Sequence, residues 1–320
     1  MTSCTLFSDR PVPTCERLSP RGADLWERAR AARLAGDLEK SQALLRLLMV
    51  EQPHFFRGVR EWQEVMDAVG RGGEVERSLR DHPEASASGL TLRARVESDP
   101  LHARQLLEMA LARDPEFVWA HLGLAFLCRK AGDLQGARNH LEQALGLHPE
   151  FPEALRDLAE VAYESGEPRE ACAHLEHYLS LEPADREARH FLASLLATVL
   201  LDYGEAEEQY RTLVRENPTD VTALLGLAGV VALHGSEVEE AVLLYERVLE
   251  LDPRAMEATY NLGWLYETRL GDPRKALHYY ESFLQFSGPA PDPRPVLYVV
   301  FFVPNRVEAL KRGLAREAVP

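Results

Sequence analysis

A proline returns at nearly constant intervals along this chain, each time after a segment with helical apolar spacing. The series is Pro53, Pro83, Pro115, Pro149, Pro183, Pro218 and Pro253, with Gly288 in the eighth place. Proline ends a helix because it has no N–H to donate and its ring clashes with the preceding turn. Intervals of 30 to 35 residues therefore predict a helical unit that is repeated along the chain.

The unit that ends at Pro149 shows the pattern most clearly. Leu124, Ala125 and Cys128 share one face of a first helix, and a turn at Gly132 follows, because glycine adopts backbone angles that a helix interior excludes. A second helix then runs to the proline. One such hairpin cannot bury its apolar face, whereas copies stacked side by side can.

The second helix of each unit repeats two diagnostic positions. A small residue stands twelve residues before the end marker, and a large apolar or aromatic residue stands eight before it. The small residues are Ser41, Ala103, Ala137, Ala171, Ala206, Ala241 and Ala276, and the large ones are Leu45, Leu107, Leu141, Leu175, Tyr210, Tyr245 and Tyr280. The unit that ends at Pro83 has Arg71 in the small position, so we interpret it as a degenerate copy.

These positions resemble the tetratricopeptide repeat family, whose unit is a helix–turn–helix with a small residue, an aromatic residue and a terminal proline at the same offsets. The best copy, residues 259–288, has Gly263, Tyr266, Ala276 and Tyr280 in the family's signature places, with one extra residue near Leu270. The resemblance implies an all-α fold, a right-handed superhelix (α-solenoid) of antiparallel helix hairpins. Since this fold serves many partners, it indicates little about function by itself.

The pattern divides the chain into four regions. Residues 1–20 are expected to be irregular, and residues 21–288 to form about eight repeats, of which the unit 54–83 is degenerate. Residues 289–303 are expected to be a proline-rich link followed by an apolar strip, and residues 304–320 a capping helix.

The apolar strip, residues 296–303, leaves two interpretations open. It either covers the last repeat ahead of a helix capped by Asn305, or it forms a strand or apolar strip for self-association into a homo-oligomer. The second interpretation assigns contacts between copies to Leu297, Tyr298, Phe301 and Phe302.

Composition excludes several classes of function. A net charge of −15, from 51 acidic and 36 basic residues, opposes non-specific binding to nucleic acid or to anionic membranes. We find no apolar segment of the ~20 residues that a membrane span requires, and no secretory signal. With an arginine-rich, GC-type composition, this predicts a bacterial protein in the cytoplasm.

No group of residues indicates catalysis or metal binding. The glycine-rich turn at residues 70–73 lacks the lysine of a phosphate loop. His174 and His177 share a helical face but flank the core position Leu175, which favours solvated histidines over metal ligands. The cysteines lack the spacing of a metal site, and we expect no catalytic residue, metal or cofactor.

In the family, the first helices line a concave groove that binds partner segments. The register places on it Trp119, Leu122, Phe126, Arg129, Lys130, Arg156, Tyr163, Tyr260 and Trp264. The lysines and asparagines with which co-chaperone members clamp a terminal carboxylate are absent here, so an apolar or mixed peptide fits better.

We therefore predict a scaffold or adaptor that binds a partner protein or peptide in this groove. A structural subunit of an envelope, secretion or self-associated assembly is the alternative. A third interpretation has Phe126 and Trp264 packed between helices, because an error of one residue in the register exchanges the two faces.

Overall fold

The structure is a computed structural model that describes residues 18–52, 55–74, 77, 86–234, 238–287 and 297–317. Across these residues every regular element is a helix and no strand occurs. The helices fall into two compact units, Met1–Gly166 (unit 1) and Glu167–Pro320 (unit 2). The predicted all-α fold of helix hairpins is confirmed.

Unit 1 contains eight helices over its described residues. They are α1 (Pro20–Leu34), α2 (Leu38–Glu51), α3 (Phe56–Ala68), α4 (Ala87–Arg95), α5 (Pro100–Arg113), α6 (Val118–Lys130), α7 (Leu134–Leu147) and α8 (Pro152–Glu164). The hairpins are α1–α2, α4–α5 and α6–α7, and each second helix also packs against the next first helix. The second helix of the degenerate unit falls mostly on residues outside those described.

Unit 2 begins with the second helix of the fifth repeat, since the boundary falls at the turn glycine Gly166. Its elements are α9 (Pro168–Leu181), α10 (Arg186–Leu195) with a π-helical turn (Leu196–Leu200), α11 (Tyr203–Glu216), α12 (Val221–His234), α13 (Val238–Leu251), α14 (Met256–Thr268), α15 (Pro273–Ser287) and α16 (Leu297–Glu317). Here the hairpins are α10–α11, α12–α13 and α14–α15, and α16 packs on α15.

The small residue of each second helix lies in the core, as predicted. Ser41, Ala137, Ala171, Ala206, Ala241 and Ala276 are each 0% exposed, and Ala103 is 2% exposed. A small side chain at this position lets the neighbouring helix approach closely, and the large residue one turn later fills the space beside it. The turn glycines Gly36 and Gly132 have φ of +77° and +79°, which explains the choice of glycine there.

Repeats with one extra residue differ at this turn. In the repeat of regular length, the N–H of Asp133 donates to the carbonyl of Cys128, five residues back, at 2.9 Å. In two longer repeats the equivalent donors, Asp202 and Asp272, reach six residues back. The first of these turns is the π-helical segment, followed by Leu201 with φ of +55°; no other non-glycine residue among those described has positive φ.

The C-terminal region differs from the prediction. Helix α16 begins at Leu297, so residues 297–303 do not form the strand that one of the two interpretations allowed, and Asn305 lies within the helix rather than at its N-cap. Strand propensity is a weak preference that packing overrides, and Val303 and Val307 are buried here. Pro304 lies inside the helix, where it removes one backbone hydrogen bond.

Some predictions fall on residues outside those described. They include the irregular N-terminus up to residue 17 and the proline-rich link from residue 288 to 296. The side chains of Leu297, Tyr298, Phe301 and Phe302 are also outside the described set, so self-association through them stays a prediction.

Candidate functional site

The predicted groove corresponds to the surface formed by first helices, here called the first-helix surface. Each unit has its own first-helix surface, formed by α1, α3, α4, α6 and α8 in unit 1 and by α10, α12 and α14 in unit 2. Neighbouring first helices contact one another directly, α4 with α6, α10 with α12, and α12 with α14. The two units differ in what covers this surface.

In unit 1 an aromatic cluster joins the N-terminal ends of three first helices. Phe56 of α3 stacks on Trp119 of α6 with ring centroids 4.8 Å apart, and meets Phe117 edge-on at 5.9 Å. Trp119 in turn meets Phe151, the residue that precedes α8, at 5.0 Å. All four side chains are buried. Helix α3 therefore covers Trp119, a residue that would have to be accessible if the groove bound a partner there.

An ion pair between residues distant in sequence also holds α3 in this position. Arg57 of α3 and Glu153 of α8 pair through two contacts, Nε to Oε1 at 2.8 Å and Nη2 to Oε2 at 3.0 Å. Both side chains are largely shielded from water. Such two-contact pairs fix the relative orientation of the two groups, so the degenerate unit is tied to a helix three repeats further along the chain.

Two of the predicted groove residues are therefore part of the core. Trp119 is 3% exposed and Leu122 is 7% exposed, so neither can contact a partner, and their assignment as binding residues is wrong. The register places both residues on the correct face of α6. The prediction failed for Trp119 because Phe56, from a unit with few repeat features, stacks on its ring.

The C-terminal ends of α6 and α8 remain accessible. Phe126 is 54% exposed, with the Lys130 ammonium 4.9 Å from its ring centroid, and Tyr163 is 46% exposed. Arg129 instead pairs with Glu164 at 2.6 Å and with Glu160, and the hydrogen bonds that it donates to these carboxylates raise its pKa. Its guanidinium is thus engaged within the chain.

A cluster of charged side chains, which the sequence did not predict, lies between the aromatic cluster and the accessible C-terminal ends of α6 and α8. Arg95 of α4 is exposed, and its Nε donates a hydrogen bond to the side chain of Gln63 on α3. Burial raises the pKa of Asp157, although Arg60 and Arg156 oppose that shift. Arg156, which we predicted to orient a partner, is half-buried beside this group. The only sequence signal was the succession of charged residues along α3.

In unit 2, tyrosines of second helices reach the first helices. The Tyr245 hydroxyl accepts a hydrogen bond from Asn261 at 3.0 Å, and the Tyr280 hydroxyl donates one to Glu267 at 3.1 Å. The ring of Tyr210 lies so close to Gly226 that a Cβ there would be 2.3 Å from it. The tyrosines therefore place phenol groups between adjacent first helices.

The remaining predicted residues, Tyr260 and Trp264, lie on α14 and are half-buried. Tyr260 packs near Tyr280 and Phe283, with ring centroids 6.0 and 5.9 Å apart. On the neighbouring helix α12, Thr222 is exposed and Gly229 is partly accessible. In unit 2 the predicted groove residues thus keep accessible area.

His174 and His177, which were considered as metal ligands, lie three residues apart on α9. His177 is exposed, and Nε2 of His174 lies 3.5 Å from Glu170. Within the described residues, no three histidine, cysteine or acidic side chains are placed to hold a metal ion. Cys128 and Cys172 are buried free thiols that pack as apolar groups, and burial raises the pKa of Cys172 to about 11.

No helix in the described part of the chain combines the length and the apolar character that a membrane span needs.

Comparison with solved structures shows the same fold. The crystal structure of YrrB, a TPR protein with an unusual peptide-binding site, aligns with a TM-score of 0.52 and 20% identity over 62% of this chain and 97% of YrrB. A chain of the APC/C hetero-tetramer Cut9–Hcn1 aligns with a TM-score of 0.53 and 14% identity, over 89% of this chain and 55% of that one. At these identities the likeness concerns the fold alone.

Sequence comparison leads to the family. A search of the curated proteins gives no match. Two tetratricopeptide repeat family models match residues 129–195 in one case, and 191–245 and 236–291 in the other. Together the matched residues span just over half of the chain. The chain belongs to the tetratricopeptide repeat family.

Proposed function

We propose that this protein is an interaction scaffold, not an enzyme, and that it binds a segment of a partner protein on its first-helix surface. The observation that carries the proposal is the exposure of aromatic side chains there. Phe126 and Tyr163 are each about half exposed although their helices are otherwise well packed. Large amphipathic rings of this kind contribute much of the energy at protein interfaces.

Two further observations support this proposal. Tyr260 and Trp264 of unit 2 retain accessible area at the positions where the repeat pattern expects groove residues. YrrB, which has the same fold, contains a peptide-binding site, so a peptide segment is a ligand that such hairpins accommodate. The charged pairs around Arg129 would then hold α6 and α8 in place rather than contact the partner.

The test compares exposed apolar residues on the two kinds of helix. Partners would be purified on the full chain, and their affinity measured for Phe126→Ala, Tyr163→Ala and Trp264→Ala. Leu47→Ala and Leu243→Ala, at exposed positions of second helices, are the matched controls. Interface aromatics lose about 2 kcal/mol or more on truncation, so we expect affinity to fall by about 30-fold in the first set only.

Circular dichroism would establish that all five variants keep their helical content. Unchanged affinity in the first set, with loss in the control set, would refute binding on the first-helix surface.

A further inference from the structure

One row of residues crosses the first-helix surface of unit 2. Glu187, Thr222 and Glu257 are each the second residue of their helices, α10, α12 and α14. These helices are neighbours, and packed helices lie about 8–10 Å apart. The two carboxylates therefore flank Thr222, one on each side of α12.

Both carboxylates are exposed, and within the described residues neither forms an ion pair. Arg186, the sequence neighbour of Glu187, pairs instead with Asp220, which His190 also contacts at 3.0 Å. The helix dipole favours both glutamates, because each lies in the first turn of its helix, but no cationic side chain among the described residues pairs with either.

The charge of Glu257 acts over the surface of α12. Tyr210 and Tyr245, which belong to two successive repeats, both have a raised pKa, caused first by burial and then by Glu257. Their side chains lie against Gly226 and Gly229 of α12. Glu257 therefore stands beside a surface of small residues.

On α12 and α14 this surface also carries apolar and aromatic side chains. Leu225 on α12 and Tyr260 and Trp264 on α14 are partly accessible. An apolar segment fits against these residues, and the carboxylates of Glu187 and Glu257, which form no ion pair among the described residues, would select positive side chains at its edge.

We propose that the first-helix surface of unit 2 binds an apolar partner segment that carries lysine or arginine, and that these cations pair with Glu187 and Glu257. This inference rests on the proposed function and names the chemistry of the segment. Unit 2 has 25 acidic and 15 basic residues, against 26 and 21 in unit 1. The field of unit 2 therefore favours the approach of a cation.

The test uses two labelled synthetic peptides that share the same leucines and phenylalanines and differ only in carrying lysine or glutamate between them. Fluorescence polarisation would measure their affinity for the full chain. We expect the lysine peptide to bind at least tenfold more tightly. Glu187→Gln with Glu257→Gln removes both accessible ion pairs and should weaken the binding of the lysine peptide about tenfold.

The control changes the net charge equally at another place. Glu239 is the second residue of its helix, α13, and Glu208 lies on α11; both are exposed second-helix residues. Glu208→Gln with Glu239→Gln should change the affinity by less than about twofold, because exposed charges this far from the segment are screened. An equal loss in both double variants would overturn the inference, since attraction would then be non-specific.

A further variant separates this inference from the proposed function. If both peptides bind equally and Trp264→Ala weakens both, the surface binds a segment but does not select cations, and only the inference fails. If Trp264→Ala changes neither affinity, binding on the unit 2 surface is refuted as well.

Discussion

Units 1 and 2 are built from the same hairpin, yet their first helices meet different surroundings. In unit 1, Phe56 of the degenerate repeat packs against Trp119, which becomes an interior residue, and Arg57 pairs with the partly buried Glu153. In unit 2, the described residues of α10, α12 and α14 keep Thr222 exposed and Trp264 partly accessible. The position of a residue within its repeat thus fixes the face on which it lies, but the neighbouring repeats decide whether that face is core or surface.

The second helices show a related difference. The large buried residue is leucine in the described repeats of unit 1, as at Leu45, Leu107 and Leu141, and at Leu175 at the start of unit 2, whereas the later repeats of unit 2 have Tyr210, Tyr245 and Tyr280. A tyrosine fills more volume and carries a hydroxyl group that needs a partner. The later repeats therefore combine close packing with specific hydrogen bonds between helices.

The largest effect is expected at the aromatic cluster of unit 1. Phe56→Ala should lower the free energy of unfolding by about 3–5 kcal/mol, because it removes a buried ring and leaves a cavity beside Trp119. Phe126→Ala, at an exposed ring of the same unit, should change it by less than about 0.5 kcal/mol. Urea unfolding followed by circular dichroism would measure both.

Similar losses for Phe56 and Phe126 would mean that α3 does not close this surface, and the contrast between the units would disappear.

The sequence predicted the hairpins and much of their core. The spacing of Ala137, Ala171 and their equivalents placed each second helix, because helical periodicity and close packing act over only a few residues. It could not predict the burial of Trp119, which depends on Phe56, more than sixty residues earlier and outside any repeat signature. Contacts that are distant in sequence leave no periodic signal.

The same limit applies to the two ends of the candidate site. Phe126 is as exposed as the register suggested, because its neighbours in α6 and α7 follow the repeat. The sequence did not predict that the helix begins as early as Leu297, because residues 298–302 are β-branched or aromatic and Pro304 follows them. Local propensity there opposes the structure that packing selects.

A second prediction concerns Asp220, which links the adjacent first helices α10 and α12 of unit 2, whereas Arg57 and Glu153 of unit 1 join helices three repeats apart. Its carboxylate accepts the N–H of Ala223 at 3.0 Å and contacts His190 and Arg186. Asp220→Ala should cost about 2 kcal/mol, because it removes a helix cap and a charged hydrogen bond.

The dependence of stability on pH tests the contribution of the Asp220 charge. Burial opposes ionisation, but the Ala223 N–H, His190 and Arg186 together lower the pKa of Asp220 below its ordinary 3.8. A lowered pKa in the folded state means that stability is present above pH 3.8 and is lost as the pH falls through the folded value. The difference between wild type and Asp220→Asn should therefore shrink between pH 6 and pH 3. A constant difference would contradict the role assigned to its charge.

The tyrosines on the second helices of unit 2 allow a third prediction, in which one tyrosine serves as the control for another. Tyr245→Phe should lower the free energy of unfolding by about 1 kcal/mol, because Asn261 loses its hydrogen-bond partner. Tyr210→Phe should have less than about half that effect, since within the described residues its hydroxyl makes no hydrogen bond. Chemical denaturation of the two variants in parallel would check this. Equal losses would show that these hydroxyls do not stabilise helix contacts through the partners assigned here.

The smallest effect is expected at the turn that absorbs an extra residue. Leu201 has φ of +55° and is 59% exposed, so it has the strain of a left-handed residue with little burial to offset it. Leu201→Gly should raise the free energy of unfolding by about 0.5 kcal/mol, the relief of strain less the added freedom of the unfolded chain. Gly132→Ala is the inverse change, at φ of +79° and with open space around the new methyl group, and should cost about 1 kcal/mol. A fall in the urea midpoint for Leu201→Gly as well would mean that the side chain of Leu201 stabilises the π-helical turn. The longer repeats of unit 2 would then differ from the repeats of regular length in unit 1 in packing as well as in length.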